Sequence, residues 1–216
     1  MEEKYKIIYS GGENTIIEKK SRFIAEVFPI ASEEEAIAKI AFIRKKYGDA
    51  THHCFAYVLG EQQQIQRCSD DGEPSGTAGR PILDVLLGEE IHNSVVIVTR
   101  YFGGTLLGTG GLVRAYGKAA QEGLANSQII EKCPGKKYSL RTDYSEIGKI
   151  QYTLEQMELT ALDTEYTETV KLYVIVPDGE CAAFEKKITE ATAGRAKLEM
   201  EKEVFFARMG GKIRLL

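Results

Sequence analysis

Two stretches of the chain gather the residue types that can do chemistry. The first, RCSDDGEPSGTAGRP (67–81), sets Asp70, Asp71 and Glu73 between Arg67 and Arg80. Carboxylates this close together can hold a divalent cation, pair with nearby guanidinium groups, or meet a protein partner. The spacing is not that of an EF-hand, and Arg67 and Arg80 favour internal pairing over metal. Gly72, Pro74, Ser75 and Gly76 are turn formers, and Thr77 is placed to cap a following helix.

The second stretch, TRYFGGTLLGTGGLVRAYGK (99–118), places Gly103, Gly104, Gly108, Gly110 and Gly111 between an apolar run and a helical pattern. A helix N-terminus carries unpaired N–H groups and partial positive charge, so it can receive a phosphate or carboxylate. Arg100 and Tyr101 close the strand before it, and Arg114 and Lys118 follow on the helix, completing a candidate anion or nucleic-acid site. The competing reading is structural, with the glycines permitting a tight turn and close helix-to-sheet packing. The stretch lacks the Lys-Ser/Thr pair of a P-loop, and its helix does not follow the first strand of a βαβ unit as a dinucleotide site requires.

No nucleophile emerges. Ser75 is not in a G-x-S-x-G elbow. His53 and Cys54 are adjacent, so on a strand they face opposite sides and form no thiolate–imidazole couple. Cys54, Cys68, Cys133 and Cys181 are widely spaced and read as free thiols, most of them buried. With His52, His53 and His92 the only histidines, no common zinc spacing is met. Neither a catalytic residue, a metal nor a cofactor is expected.

Positioning these stretches requires a mixed architecture. KYKIIYS, NTIIEKK and RFIAEVFPI read as strands, with Gly11 and Gly12 supplying a turn. SEEEAIAKIAFIRKKYG reads as a helix with Ser32 and Glu35 in capping-box spacing and Ile37, Ile40, Ala41 and Ile43 inward. HHCFAYVLG and QIQRCS form a strand pair, TAGRPILDVLLGEE a helix with Leu83, Leu86 and Leu87 inward, and Val95–Val98 a strand covered on both faces. Pro134 and Gly135 interrupt regular structure, which puts a domain boundary between residues 1–133 and 134–216. Beyond it the pattern is βαββαβ: strands at 136–144, 161–170, 171–176 and 198–208, helices at 146–158 and 179–194. That order is the ferredoxin-like split βαβ plan. The fold class is α+β.

At 43% hydrophobic and 28% charged residues the composition is that of a globular protein. The net charge of −4 argues against coating nucleic acid by bulk electrostatics and leaves room only for a local basic site. No apolar run nears the ~20 residues that span a bilayer, and the first residues lack the order of a signal peptide, so a cytoplasmic location without membrane contact is expected.

Taken together, DDGEPSGTAGRPIL and VVIVTRYFGGTLLGTGGLVRAY resemble the signature of the Impact/YigZ family across roughly residues 20–127. The resemblance implies an N-terminal domain similar to the left-handed βαβ fold of ribosomal proteins and domain IV of elongation factor G. It also implies a ferredoxin-like C-terminal domain similar to domain V of that factor. Eukaryotic members of the family regulate translation initiation under stress by competing for the activator of a kinase, a pathway bacteria lack. What carries over is a translation-linked role without catalysis, with the ribosome or structured RNA as partner and a translation-associated protein as a second class. The motif residues carried over are Asp70, Asp71, Glu73, Ser75 and Arg80, and Arg100, Tyr101, Gly103, Gly104, Gly110, Gly111 and Arg114. Two alternatives stand beside this reading. One is an enzyme that binds a small phosphorylated ligand or nucleotide, with Mg²⁺ on Asp70 or Asp71. The other is a docking module for proteins with no anion site.

Overall fold

The unbroken apolar run Val95–Val98 lies in β7 (Ser94–Tyr101), and both of its faces are covered. In the computed structural model, which describes residues 4–210 and 212–216, this strand is the centre of a five-stranded antiparallel sheet. The sheet runs β2 (Glu13–Glu18), β3 (Ser21–Pro29), β7, β4 (His52–Leu59), β5 (Ile65–Ser69). Val95 and Ile97 meet α1 (Glu33–Lys46) through Ala36, Ile40 and Ile43. Val96 and Val98 face the other way, onto α2 (Gly79–Gly88) and α3 (Thr109–Ala125), where Ile82, Leu86, Leu112, Tyr116 and Ala120 complete a second core. Alternation along one strand thus feeds two helical layers.

Around this sheet local chemistry explains the boundaries. Ser32 Oγ accepts from Glu35 N at 3.3 Å, as the capping box requires, but the Glu35 carboxylate reaches past Ser32 to the Ala31 N–H at 2.8 Å. The helix presents Ala36, Ile40 and Ile43 inward, at i, i+4, i+7, whereas Ile37 is 61% exposed and Ala41 is exposed too, against expectation. The α1-facing side of β3 also buries Glu26, which Lys46 Nζ (2.5 Å) neutralises and to which Tyr47 Oη donates a hydrogen bond (2.7 Å). Gly11 and Gly12 do not make a hairpin. β1 (Tyr5–Ser10) lies outside this sheet and pairs in parallel with the two-residue β6 (Ile91–His92).

These elements form one compact unit, Tyr5–Ile130; Lys4 and Glu131–Leu216 form the other. β8 (Gln128–Thr142), which belongs to the second unit from Glu131 on, runs straight through Pro134 and Gly135 rather than breaking there. Its last pairing with β10 (Val170–Pro177) is Gly135↔Pro177, so at Pro134 that side of the ladder has ended and a residue lacking an N–H is tolerated. β9 (Ala161–Tyr166) pairs with β10, and β11 (Lys197–Met209) pairs with β8 on its other side, all antiparallel. The order β9-β10-β8-β11, with α4 (Ile147–Gln156) and α5 (Cys181–Thr192) as crossovers, is that of a split βαβ sheet. The two helices cover Leu140, Leu172, Val174 and Val176.

Glu146, 5% exposed at the start of α4, accepts from Arg195 (2.8 Å) and Lys149 (3.1 Å) and so ties the start of one helix to the loop after the other. A strand absent from the expected pattern, β12 (Lys212–Leu215), returns as a hairpin on β11. Among the described residues no helix is long and apolar enough to cross a membrane.

Candidate functional site

The acidic loop after β5 folds back under the end of β7, and its carboxylates divide the work. Asp70 caps α2: Oδ1 accepts from the N–H of Ala78 (3.0 Å) and Gly79 (2.8 Å), and Oδ2 from Gly76 (2.8 Å). Thr77, expected in that role, instead donates its hydroxyl to Pro74 O at 2.6 Å. Burial pushes the Asp70 carboxyl up, but the three N–H donors outweigh it and leave the group below its ordinary 3.8. Asp71 Oδ1 accepts from Arg44 at 2.6 Å and its Oδ2 from the His53 N–H at 2.7 Å. Asp71 takes a positive φ of 43° and Gly72 one of 88°, which turns the chain so that Glu73 points inward.

Glu73 is the centre of the network. Its side chain is 4% exposed, and Oε1 accepts from Arg100 Nη1 (2.5 Å) and from Tyr116 Oη (2.8 Å). Arg100 is itself 6% exposed, with Ser21 Oγ 3.4 Å from Nη2 and the Phe23 ring 5.3 Å from its guanidinium carbon. The Tyr116 hydroxyl also lies 3.3 Å from Cys54 Sγ, whose other neighbour is Asp70 O at 3.0 Å. Burial pushes the Cys54 thiol up to about 12 and raises Tyr116 as well, so both stay protonated near neutrality. His52 and His53 diverge as a strand demands. His52 Nδ1 reaches Asp71 O (2.8 Å), while His53 Nδ1 reaches Thr99 Oγ1 (3.2 Å) and is lowered chiefly by burial.

This arrangement corrects the expected partners. Arg100 is no surface cation: it is buried and spent on Glu73, a residue 27 positions earlier. Arg67 and Arg80 do not pair with the acids of the loop. Arg67 lies 3.9 Å from Glu33 and Arg80 2.7 Å from Asp84, while Arg44 and Arg100 take their place. Ser75 is exposed at the loop tip. For the alternative that puts Mg²⁺ on Asp70 or Asp71, every oxygen of the two carboxylates already accepts from an N–H group or from Arg44, so a cation would have to share or displace these contacts. Of the cysteines, Cys54 and Cys181 are buried, Cys133 half-buried and Cys68 exposed, so burial is less general than expected.

The glycines of the second stretch serve different ends. Gly103 lies so close to the Lys20–Ser21 backbone that a Cβ would sit 2.1 Å from the Lys20 carbonyl carbon, and its N–H donates to Ser21 Oγ at 3.2 Å. Gly108 is the N-cap of α3 at φ 73°, ψ 166°, a region essentially reserved for glycine. Gly104 is open to solvent, Gly110 and Gly111 form the first turn of α3, and Tyr101 donates its hydroxyl to Asp49 (2.7 Å) beneath the Arg22 guanidinium. Arg114 and Lys118, one turn apart, are exposed and have no carboxylate partner among the described residues. With Lys19, a residue the sequence pattern did not single out, they line a cavity of about 230 Å³ that also includes Glu18, Ile16 and Leu107. The signal for Lys19 was its place in the KK turn between two strands.

Comparison with known proteins joins these features to a family. The Impact N-terminal domain matches residues 19–124, and a domain of unknown function, DUF1949, matches 140–195. IMPACT family member YvyE of Bacillus subtilis (strain 168) is 40% identical over 195 residues, 90% of this chain and 90% of that one. IMPACT family member YigZ of Escherichia coli (strain K12) is 37% identical, over 85% and 92%. Protein IMPACT of Mus musculus is 36% identical over 99 residues, which is 43% of this chain but 30% of that protein. A crystal structure of a hypothetical protein superposes with a TM-score of 0.60 at 34% identity, across 94% of this chain and 99% of the other. On these grounds the chain belongs to the IMPACT family.

Proposed function

We propose that the protein is a translation-linked regulatory protein that binds the ribosome or structured RNA without catalysis. The observation that carries this reading is the exposed trio of Lys19, Arg114 and Lys118 around the cavity beside α3, with neither helix cation paired to a carboxylate among the described residues. Cations without a carboxylate partner among the described residues, three of them against the single Glu18 of the same cavity, form a local site for phosphate on a protein of net charge −4, where bulk attraction would fail. The strand–turn–helix geometry holds them: Lys19 sits in the β2–β3 turn at a positive φ of 45°, and α3 fixes Arg114 and Lys118 on one face. A-form RNA recognised by shape and phosphate suits such a site better than base readout does.

The buried Glu73–Arg100–Tyr116 cluster serves this function indirectly. It locks the acidic loop to the strand that launches α3, so that the exposed cations stand on a rigid base. Cys54, beneath Tyr116, is held as a thiol by burial and is not disposed to covalent chemistry.

The test is binding of the purified chain to a structured RNA across a salt series, with Arg114→Glu and Lys118→Glu. Each variant should weaken binding and lower the salt slope by about 1 per phosphate contact removed. Binding that keeps both its strength and its slope in the double variant would sink this placement of the site.

A further inference from the structure

The outer face of α1 is apolar where contact with water favours polar side chains. Ile37 and Phe42 are 61% and 57% exposed, and Ala38 and Ala41 between them are exposed as well. At spacings of three and four residues these four side chains fall on one stripe of the helix, with Glu34 one turn before it and Lys45 one turn after. Single exposed apolar residues are ordinary, but a contiguous stripe along one face marks a contact surface.

The charges of the helix point the same way. Glu33, Arg44 and Lys46 are engaged within the chain, by Tyr57, Asp71 and Glu26. Glu34 meets the Ser32 hydroxyl, and among the described residues neither Glu34 nor Lys45 is in an ion pair. Both are exposed. An acidic start and a basic end also suit the helix dipole, but that account leaves the exposure of Ile37 and Phe42 without a cause.

The stripe is palindromic. A second copy of α1, turned antiparallel about a point midway between Lys39 and Ile40, brings its Lys45 level with Glu34, its Phe42 level with Ile37 and its Ala41 level with Ala38. Each of these pairs occurs twice, which is the self-complementarity that a two-fold contact needs. The alanines keep the centre of the stripe low, so the two helices can pack at about 8–10 Å between axes with the larger side chains to either side. From this match of apolar surface and charge we propose that α1 pairs antiparallel with α1 of a second copy to form a two-fold symmetric dimer. One face of a 14-residue helix lies at the low end of specific interfaces, so the dimer is weak, with a Kd on the order of 0.1 mM. Within the unit, α1 covers the sheet face opposite to α2 and α3, so the dimer does not depend on the RNA reading of the cavity beside α3.

The experiment is sedimentation equilibrium of the full chain from micromolar to millimolar concentration, at low and high salt. The mass of the wild type is expected to rise from monomer towards dimer with concentration, and to rise less at high salt. Ile37→Asp/Phe42→Asp, at two exposed positions, should stay monomeric throughout and keep the melting temperature of the wild-type monomer. Glu34→Lys and Lys45→Glu should each weaken association about ten-fold, since each sets like charges level with one another at both ends of the stripe. An equimolar mixture of these two charge variants should recover the wild-type strength, because every level pair is then opposite in charge. Wild type that remains monomeric at millimolar concentration would overturn the proposal. So would a dimer that survives Ile37→Asp/Phe42→Asp, or a mixture of the charge variants that associates no better than either alone.

Discussion

Replacing Glu73 with Ala tests whether the acidic loop is held by a buried charge pair. The substitution strips the carboxylate from a guanidinium that is 6% exposed and removes the acceptor of the Tyr116 hydroxyl. Leaving one member of a buried pair uncompensated costs about 3–5 kcal/mol. For a unit the size of Tyr5–Ile130, that corresponds to a fall in melting temperature of about 10–20 °C. Calorimetry of wild type, Glu73→Ala, Tyr116→Phe and the double variant Glu73→Leu/Arg100→Met separates the terms. Tyr116→Phe should cost about 1.5–3 kcal/mol, the worth of one hydrogen bond to a charged acceptor. The double variant should recover most of the loss, because two apolar side chains leave no orphaned charge. A single Glu73→Ala loss under about 1 kcal/mol, or a double variant no better than the single, would refute the reasoning.

Other outcomes follow from the same geometry. Asp70→Asn should destabilise by about 1–2 kcal/mol, since the amide can accept from Ala78 and Gly79 but must turn a donor toward the Gly76 N–H; urea unfolding measures it. Because the Asp70 carboxyl lies below its ordinary 3.8 when folded, its contribution is present above that pH and is lost as pH falls through the folded value, so the Asp70→Asn deficit should shrink in acid. Gly103→Ala should lower stability more than Gly104→Ala, as only the former drives a Cβ into the Lys20 backbone; thermal melts of the two variants compare them. At pH 8 a thiol reagent should label Cys68 first and Cys54 and Cys181 slowly, read by mass spectrometry. The Cys54 thiol titrates near 9.0 unfolded and at about 12 folded, so its share of stability is whole below pH 9 and lost between the two values; Cys54→Ala should flatten that part of the alkaline profile.

The fold was legible wherever periodicity had one cause. Val95–Val98 has no polar residue to face water, and a strand buried on both sides is the only place for it. The βαββαβ succession after residue 135 follows from alternating and helical spacings that do not compete. Legibility failed where a local rule met a non-local partner. Pro134 reads as a breaker until the shortness of β10 makes its position an edge. Ser32 and Glu35 fixed the start of α1, but the inward face depended on which sheet residues lay beneath, and Ile37 fell outside it. In the candidate site, Arg100 beside a glycine loop looks like an anion ligand in one dimension. Its burial against Glu73 needed two positive-φ residues to turn the acidic loop inward, and spacing alone does not encode that. Arg114 and Lys118 were visible as cations one helical turn apart, and the fold adds Lys19 from a different element.

The central claim is tested most directly by co-sedimentation of the protein, at its native level, with ribosomes from lysate across a salt series, for wild type and Arg114→Glu/Lys118→Glu. The account predicts that wild type pellets with a ribosomal fraction at low salt and is released steeply as salt rises, and that the double variant stays in the supernatant at salt concentrations where wild type is retained. Absence of the wild type from every ribosomal fraction even at low salt, or identical retention of the double variant, would contradict it.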